Sequence, residues 1–253
     1  MIEVDGLIKR YGTTTAVANV SFRVGDGETF ALVGGSGSGK TTTLKMINRL
    51  VEPSAGRVRI DGEDAASIDA HALRRRIGYV FQGIGLFPHM TVARNVAVPL
   101  ELLGWERERI AARVAEVLSL VELAPALAVR RPAELSGGQQ QRVGVARALA
   151  ASPRVLLLDE PFGALDAITR DHLQQSFLDL RRTLRFTAIF VTHDMTDAFL
   201  VADRVGVMRE GRLVQAGTPV ELLREPADAY VAQFLDAPRR QARLVDALLG
   251  ALR

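Results

Sequence analysis

The chain is 253 residues long and 48% hydrophobic, enough for one α/β domain carrying an added lobe or for two small domains. Its 32 Lys and Arg exceed its 29 Asp and Glu by three, and a net charge of +3 is no nucleic-acid footprint. The absence of cysteine excludes a disulfide framework and a thiolate metal site.

The N-terminal Met1-Ile2-Glu3-Val4-Asp5 carries two acids and lacks the apolar centre of a secretory signal. Thr29–Val33 is expected as a buried strand, followed by a glycine-rich turn and a helix from about Gly39 to Leu50. Arg57–Ile60 reads as an edge strand closed by Asp61-Gly62. From Gln82 to Ala151 the strand signals vanish, and Ile110, Val114, Val117 and Leu118 recur at helical spacing. This stretch is expected to form a helical lobe inserted into the α/β core. Its most apolar part, Ala97–Trp105, holds Glu101 and falls short of the roughly 18 residues that a membrane span needs. Val155–Leu158 and Thr187–Val191 are continuous apolar runs, as for strands covered on both faces. Val205–Met208 and Leu213–Gln215 read as a hairpin joined through Glu210-Gly211. The last stretch, Arg239–Arg253, is basic and then amphipathic, with Val245, Leu248, Leu249 and Leu252 on one side. Strands alternating with helices predict βαβ units and a mostly parallel sheet.

Three segments carry chemistry. Gly34-Gly35-Ser36-Gly37-Ser38-Gly39-Lys40-Thr41 matches G-x-x-x-x-G-K-[ST] between a predicted strand and a helix, and Thr42 continues it. Glycines let successive backbone N–H groups turn inward on an anion, and the helix adds the positive end of its dipole. Lys40 supplies a cation for the β- and γ-phosphates, and the Thr41 hydroxyl can ligate Mg²⁺. The second segment is Val155–Glu160, a buried strand that ends in two carboxylates. Asp159 at its tip can hold Mg²⁺ through water, and Glu160 is placed to take a proton from an attacking water. The third is Leu135-Ser136-Gly137-Gly138-Gln139. Ser136 and Gln139 fit a capping box, so a helix is expected from here to about Ala151, before Pro153. Gly137 and Gly138 would leave its N-terminus bare to an anion.

With these motifs in place the sequence resembles the ATP-binding cassette (ABC) family over roughly Met1 to Leu235. The resemblance implies an α/β fold: a P-loop NTPase core with a mostly parallel sheet, an antiparallel β part and an inserted α-helical subdomain. On that pattern an ATPase domain occupies 1–236, with its core at 1–82 and 152–236 and the helical subdomain at about 83–151. A short helical tail follows at 237–253. Tyr11, in Lys9-Arg10-Tyr11-Gly12, resembles the aromatic residue that stacks on adenine. Gln82 resembles the Q-loop glutamine that senses the γ-phosphate and Mg²⁺. Ala164-Leu165-Asp166 resembles the D-loop that crosses between subunits, and His193 resembles the switch histidine that contacts the γ-phosphate. The family works as a pair of cassettes that sandwich two ATP molecules, each between the cradle of one subunit and the Ser136–Gln139 segment of the other. A single cassette therefore implies a homodimer, or pairing with a homologue. It also implies ATP and Mg²⁺ as ligands and integral membrane permease subunits as partners. A substrate-binding protein would be an indirect partner, and the location would be peripheral, at the cytoplasmic face of the plasma membrane.

Phe81–Val92 and Asp166–Arg170 are similar to cassettes of bacterial importers of glycine betaine, carnitine, choline or proline betaine. Leu86, Phe87 and Met90 are candidates either for the groove that takes a permease helix or for packing of the lobe. Many such relatives carry paired cystathionine-β-synthase-type modules after the cassette, for which the roughly 18 residues beyond Leu235 are too few. The same motor could serve an amino acid, sulfonate, metal or lipid. A soluble cassette of translation or DNA repair would resemble a tandem pair or carry a long coiled-coil insertion.

Overall fold

The computed structural model describes residues 1–163 and 165–250. Ala164 of the expected D-loop and Leu252 of the tail lie outside them, as do the side chains of Leu248 and Leu249.

The chain opens with a hairpin of β1 (Ile2–Tyr11) and β2 (Thr14–Val24), then runs through β3 (Thr29–Val33) and α1 (Lys40–Ile47). It returns as β4 (Ala55–Ile60) and the two-residue β5 (Glu63–Asp64) to complete an antiparallel sheet in the order β2-β1-β4-β5. The expected edge strand is therefore internal. β4 pairs with β1, Ile2 opposite Ile60 and Val4 opposite Val58, and the edge falls to β5. The β1–β2 pair is hard to recognise in sequence because register shifts after Val4 and Leu7 break its period of two.

α2 (Ala70–Arg76) leads into β6 (Ile77–Val80), after which α3 (Val92–Leu102), α4 (Arg107–Leu120) and α5 (Gly137–Leu149) build the helical lobe. Val114, Val117 and Leu118 are buried on the inner face of α4, as their spacing requires, and Ile110 packs beside them. α5 packs on β6 as well as on α3 and α4, so it ties the lobe to the core. β7 (Val155–Asp159), α6 (Ala167–Leu184), β8 (Thr187–Thr192), α7 (Met195–Val201), β9 (Arg204–Arg209) and β10 (Arg212–Gly217) follow. The described chain ends with α8 (Pro219–Arg224) and α9 (Ala229–Gly250). α9 runs unbroken through position 237, where the tail was expected to begin. Its Val231 and Leu235 are buried, whereas Leu244 and Val245 are exposed.

The larger sheet has the order β10-β9-β3-β8-β7-β6, with β9, β3, β8, β7 and β6 mutually parallel and β10 antiparallel at one edge. Alternation along its central strands feeds two cores. Phe30, Leu32, Leu157, Ile189 and Val191 face α1 and the antiparallel sheet. Ala31, Val33, Leu156, Leu158 and Phe190 face the opposite core, which is continuous with the lobe. Full burial of each large apolar side chain contributes roughly 1.5–3 kcal/mol. The carboxyl ends of β3, β7 and β8 are thereby held side by side, the usual place for a ligand site in a parallel sheet.

Candidate functional site

β3 delivers the glycine-rich segment to this edge. Gly34 and Ser38 are buried, Gly35 half-buried, and Ser36 and Gly37 exposed at the tip of the loop. Gly39 is the N-cap of α1 at φ 95°, and a Cβ there would come within 2.6 Å of the Ala16 carbonyl, so only glycine fits. It offers no side-chain cap, whereas α2, α3, α5, α6, α7 and α8 all receive one from Asp, Thr or Ser. The first turn of α1, including Thr41 and the half-buried Thr42, thus presents N–H groups to an outside acceptor. Lys40 bends back over the loop. Its Nζ donates to Gly34 O at 2.8 Å, to Gly35 O at 3.0 Å and to Ser38 Oγ at 3.4 Å. Burial pulls its pKa down, while the charges of Glu160 and Asp159 hold it up.

β7 places Asp159 beside this turn, and Thr41 Oγ1 donates to Asp159 Oδ1 at 2.9 Å. Asp159 is 2% exposed, and burial raises its pKa against the opposing pull of the Thr41 bond and the Lys45 charge. A buried carboxylate and a hydroxyl at hydrogen-bond distance are the oxygen donors that a hard divalent cation takes, so the pair fits Mg²⁺. One residue on, the backbone turns sharply: Glu160 has φ 50° and its N–H donates to Val191 O at 3.0 Å. Its Oε2 lies 2.9 Å from His193 Nδ1, at the end of β8. Lys40, Thr41, Asp159, Glu160 and His193 therefore meet at one edge of the sheet.

Ser136, Gly137, Gly138 and Gln139 form the expected capping box at the start of α5. Gln139 N donates to Ser136 Oγ at 3.3 Å and Ser136 N to Gln139 Oε1 at 3.0 Å. Gly137 is open, as expected. Gly138 is not, since a Cβ there would run into the γ-methyl of Thr169 on α6. Its glycine serves close packing between α5 and α6, which corrects the expectation that both glycines leave the helix end bare. Among the described residues no hydrogen bond joins Ser136–Gln139 to Gly34–Thr42.

The remaining expected residues share no hydrogen bond with this cluster among the described residues. Tyr11 closes β1, half exposed, with Lys9 Nζ 4.9 Å above its ring. Gln82 follows β6, exposed and without a side-chain hydrogen bond among the described residues. Asp166 caps α6 by accepting from Thr169 N at 3.0 Å, and that bond holds its carboxyl below the usual range. Phe87 is 39% exposed, whereas Leu86 packs on the lobe core. Arg147 of α5 donates to Gly85 O at 2.8 Å and to Ile84 O at 3.0 Å, which anchors the segment after Gln82.

Two tyrosines support the site without any sequence signal to mark them. Tyr230 of α9 accepts from Gly35 N at 3.3 Å and donates to Met208 O at 3.3 Å. Tyr79 of β6 is half-buried with its hydroxyl buried beside Asp159, and burial pushes its hydroxyl pKa well up.

Residues 17–163 match the family model described as ABC transporter. Over 94% of its length the chain is 51% identical to the choline transport ATP-binding protein OpuBA of Bacillus subtilis, 63% of which is covered. It is 48% identical over 97% of its length to the osmoprotectant import ATP-binding protein OsmV of Salmonella typhimurium, 66% of which is covered. The chain thus spans just under two thirds of these curated relatives. Its fold matches a dimeric ATP-binding cassette solved in a post-hydrolysis state with ADP and phosphate. The TM-score is 0.78 at 33% identity, covering 86% of this chain and 98% of that one.

Proposed function

Because the chain belongs to the ABC transporter family, we propose that it is the ATP-binding, ATP-hydrolysing subunit of an importer that couples hydrolysis to uptake of a quaternary-amine osmoprotectant such as glycine betaine. The observation that carries the ATPase part is the Glu160–His193 pair beside the Lys40 loop and the Thr41–Asp159 pair. Glu160 takes the proton of the attacking water, and a base so placed contributes about 10²–10⁴-fold. His193 orients that carboxylate and reaches the terminal phosphate. Lys40 and the bare start of α1 take the phosphates, and Tyr11 stacks on adenine. Mg²⁺, held by Thr41, Asp159 and Gln82, would supply charge neutralisation for the phosphates.

The Ser136–Gln139 box bonds only within its own helix start and shares no hydrogen bond with the Gly34–Thr42 loop among the described residues, which supports a working dimer in which the α5 N-terminus of one copy meets the nucleotide of the other and Asp166 lies near the contact. The solved dimeric relative supports the same arrangement. Among the described residues no helix is long and apolar enough to cross a membrane. The subunit would work from the cytoplasmic face through permease subunits, served by a substrate-binding protein, with exposed Phe87 as one permease contact.

The cargo rests on the relatives named for choline and osmoprotectant transport. The test is a reconstituted complex with the cognate permease and binding protein in sealed vesicles. ATP-dependent accumulation of radiolabelled glycine betaine is expected. Robust hydrolysis with accumulation of only an amino acid, sulfonate or lipid would keep the motor and replace the cargo.

A further inference from the structure

We infer that Arg170 and Gln174 of α6 are positioning residues, which hold the start of α7 and so keep His193 in register with Glu160. The inference rests on the ATPase reading above and adds residues that the sequence motifs do not reach.

α7 has only seven residues, too few to be stable by itself, and His193 sits on the approach to it. A cleft of about 980 Å³ opens on this side, lined by Leu165, Arg170, His193, Asp194, Tyr230 and Phe234. Close packing therefore does not fix the His193 end of the helix from that direction. Polar contacts from α6 do. Asp194, next to His193, caps α7 with one oxygen, accepting from Thr196 N at 2.7 Å. Its other oxygen accepts from Arg170 Nη1 at 2.8 Å, and the same guanidinium lies 3.6 Å from Asp197. One turn along α6, Gln174 Nε2 donates to Asp197 Oδ1 at 2.7 Å. Thr192, on the other side of His193, donates to Asp197 Oδ2 at 3.4 Å and accepts from Asp194 N at 3.1 Å. Both chain neighbours of His193 are thus fastened to a network anchored on α6.

Asp197 is the buried centre of this grip at 2% exposure. Burial first, and the Asp194 charge second, push its pKa up to about 6, against the pull of Arg170 and His193. The other titratable groups on the cleft are Asp171 of α6 and Tyr230 of α9, while β3, which packs on α7, brings no charged side chain.

The experiment compares ATP affinity and the pH profile of kcat for the full chain and for Arg170→Ala, Arg170→Lys and Gln174→Leu. Arg170→Ala should bind ATP as the parent does and lose kcat on the order of ten- to hundredfold, the effect of a slight displacement of a reacting group. The acid limb of its profile should move to higher pH, because Asp197 loses the cation that holds its pKa down. Arg170→Lys, with charge but a single point of contact, should fall between the two. A merely structural contact would leave that limb in place. Arg170→Ala with parental kcat and an unmoved limb overturns the inference. If that variant does not fold, Arg170→Lys and Gln174→Leu decide by the same readouts. A parent that binds ATP and never turns it over sinks the ATPase reading, and this inference with it.

Discussion

His193 Nδ1 lies 2.9 Å from Glu160 Oε2, and the Glu160 N–H donates to Val191 O at 3.0 Å. The end of β8 therefore grips Glu160 twice, by backbone and by side chain. The grip accounts for a glutamate at φ 50°, a conformation that costs on the order of 1 kcal/mol and persists only where the surroundings impose it. The turn takes Glu160 out of the line of β7, so its carboxylate meets His193 while that of Asp159 accepts from Thr41.

Glu160→Gln keeps the shape of that side chain and removes its basicity. It should bind ATP normally and lose turnover by about 10²–10⁴-fold. With hydrolysis stopped, ATP should hold two copies together, seen as a doubled mass in light scattering. Undiminished hydrolysis removes Glu160 from the role of base.

Lys40→Ala and Ser136→Arg separate the two phosphate surfaces. Removing Lys40 should weaken nucleotide binding by the isolated chain, followed by fluorescence titration. Ser136→Arg should leave that titration unchanged and abolish ATP-driven pairing, because on the proposed dimer its helix start meets the nucleotide of the other copy. Equal losses of ATP affinity in the two variants would place Ser136 in its own chain's site.

Gly138→Ala drives a methyl group into Thr169 and should cost about 1–3 kcal/mol in urea unfolding. Thr169→Ser removes the obstructing γ-methyl, so the double variant should recover most of the loss. Additive losses would show that the two helices do not meet there.

Asp197 gives stability a defined pH dependence. Its folded pKa of about 6 lies above the ordinary 3.8, so the native state holds this proton more tightly than the unfolded chain. The contribution is complete below 3.8 and is lost as pH rises through about 6, a change of up to about 3 kcal/mol. Asp197→Asn should abolish that part of the slope, measured as the difference between parent and variant in denaturant titrations from pH 4 to pH 7. Parallel curves would mean that the carboxyl titrates normally.

Features that depend on a few neighbouring residues were legible in the sequence. The buried runs of β3, β7 and β8, the glycine-rich turn into α1, the Ser136–Gln139 capping box and the β9–β10 hairpin all form where spacing and local hydrogen bonding require. The strand ending in two carboxylates marked Glu160, and the family resemblance added His193, as separate residues. β1 and β2 were not legible, because their register shifts erase the alternation, and β4 was misjudged as an edge because a sequence does not order its strands.

Tertiary structure alone decided which of these residues touch. The Thr41–Asp159 bond spans 118 positions and the Tyr230–Gly35 bond spans 195, distances over which local propensity carries no information. Parallel pairing of β7 with β8 brings Glu160 to His193, and the packing of α6 on α7 sets Arg170 against Asp194. Gly138 makes the contrast within a single residue. Its neighbours in sequence suggested an open helix end, and a methyl group on a distant helix closes it. The sequence by itself determined the chemical groups and the local turns that present them. Strand order and helix packing, fixed by burial of two cores at once, decided which groups came within hydrogen-bond reach.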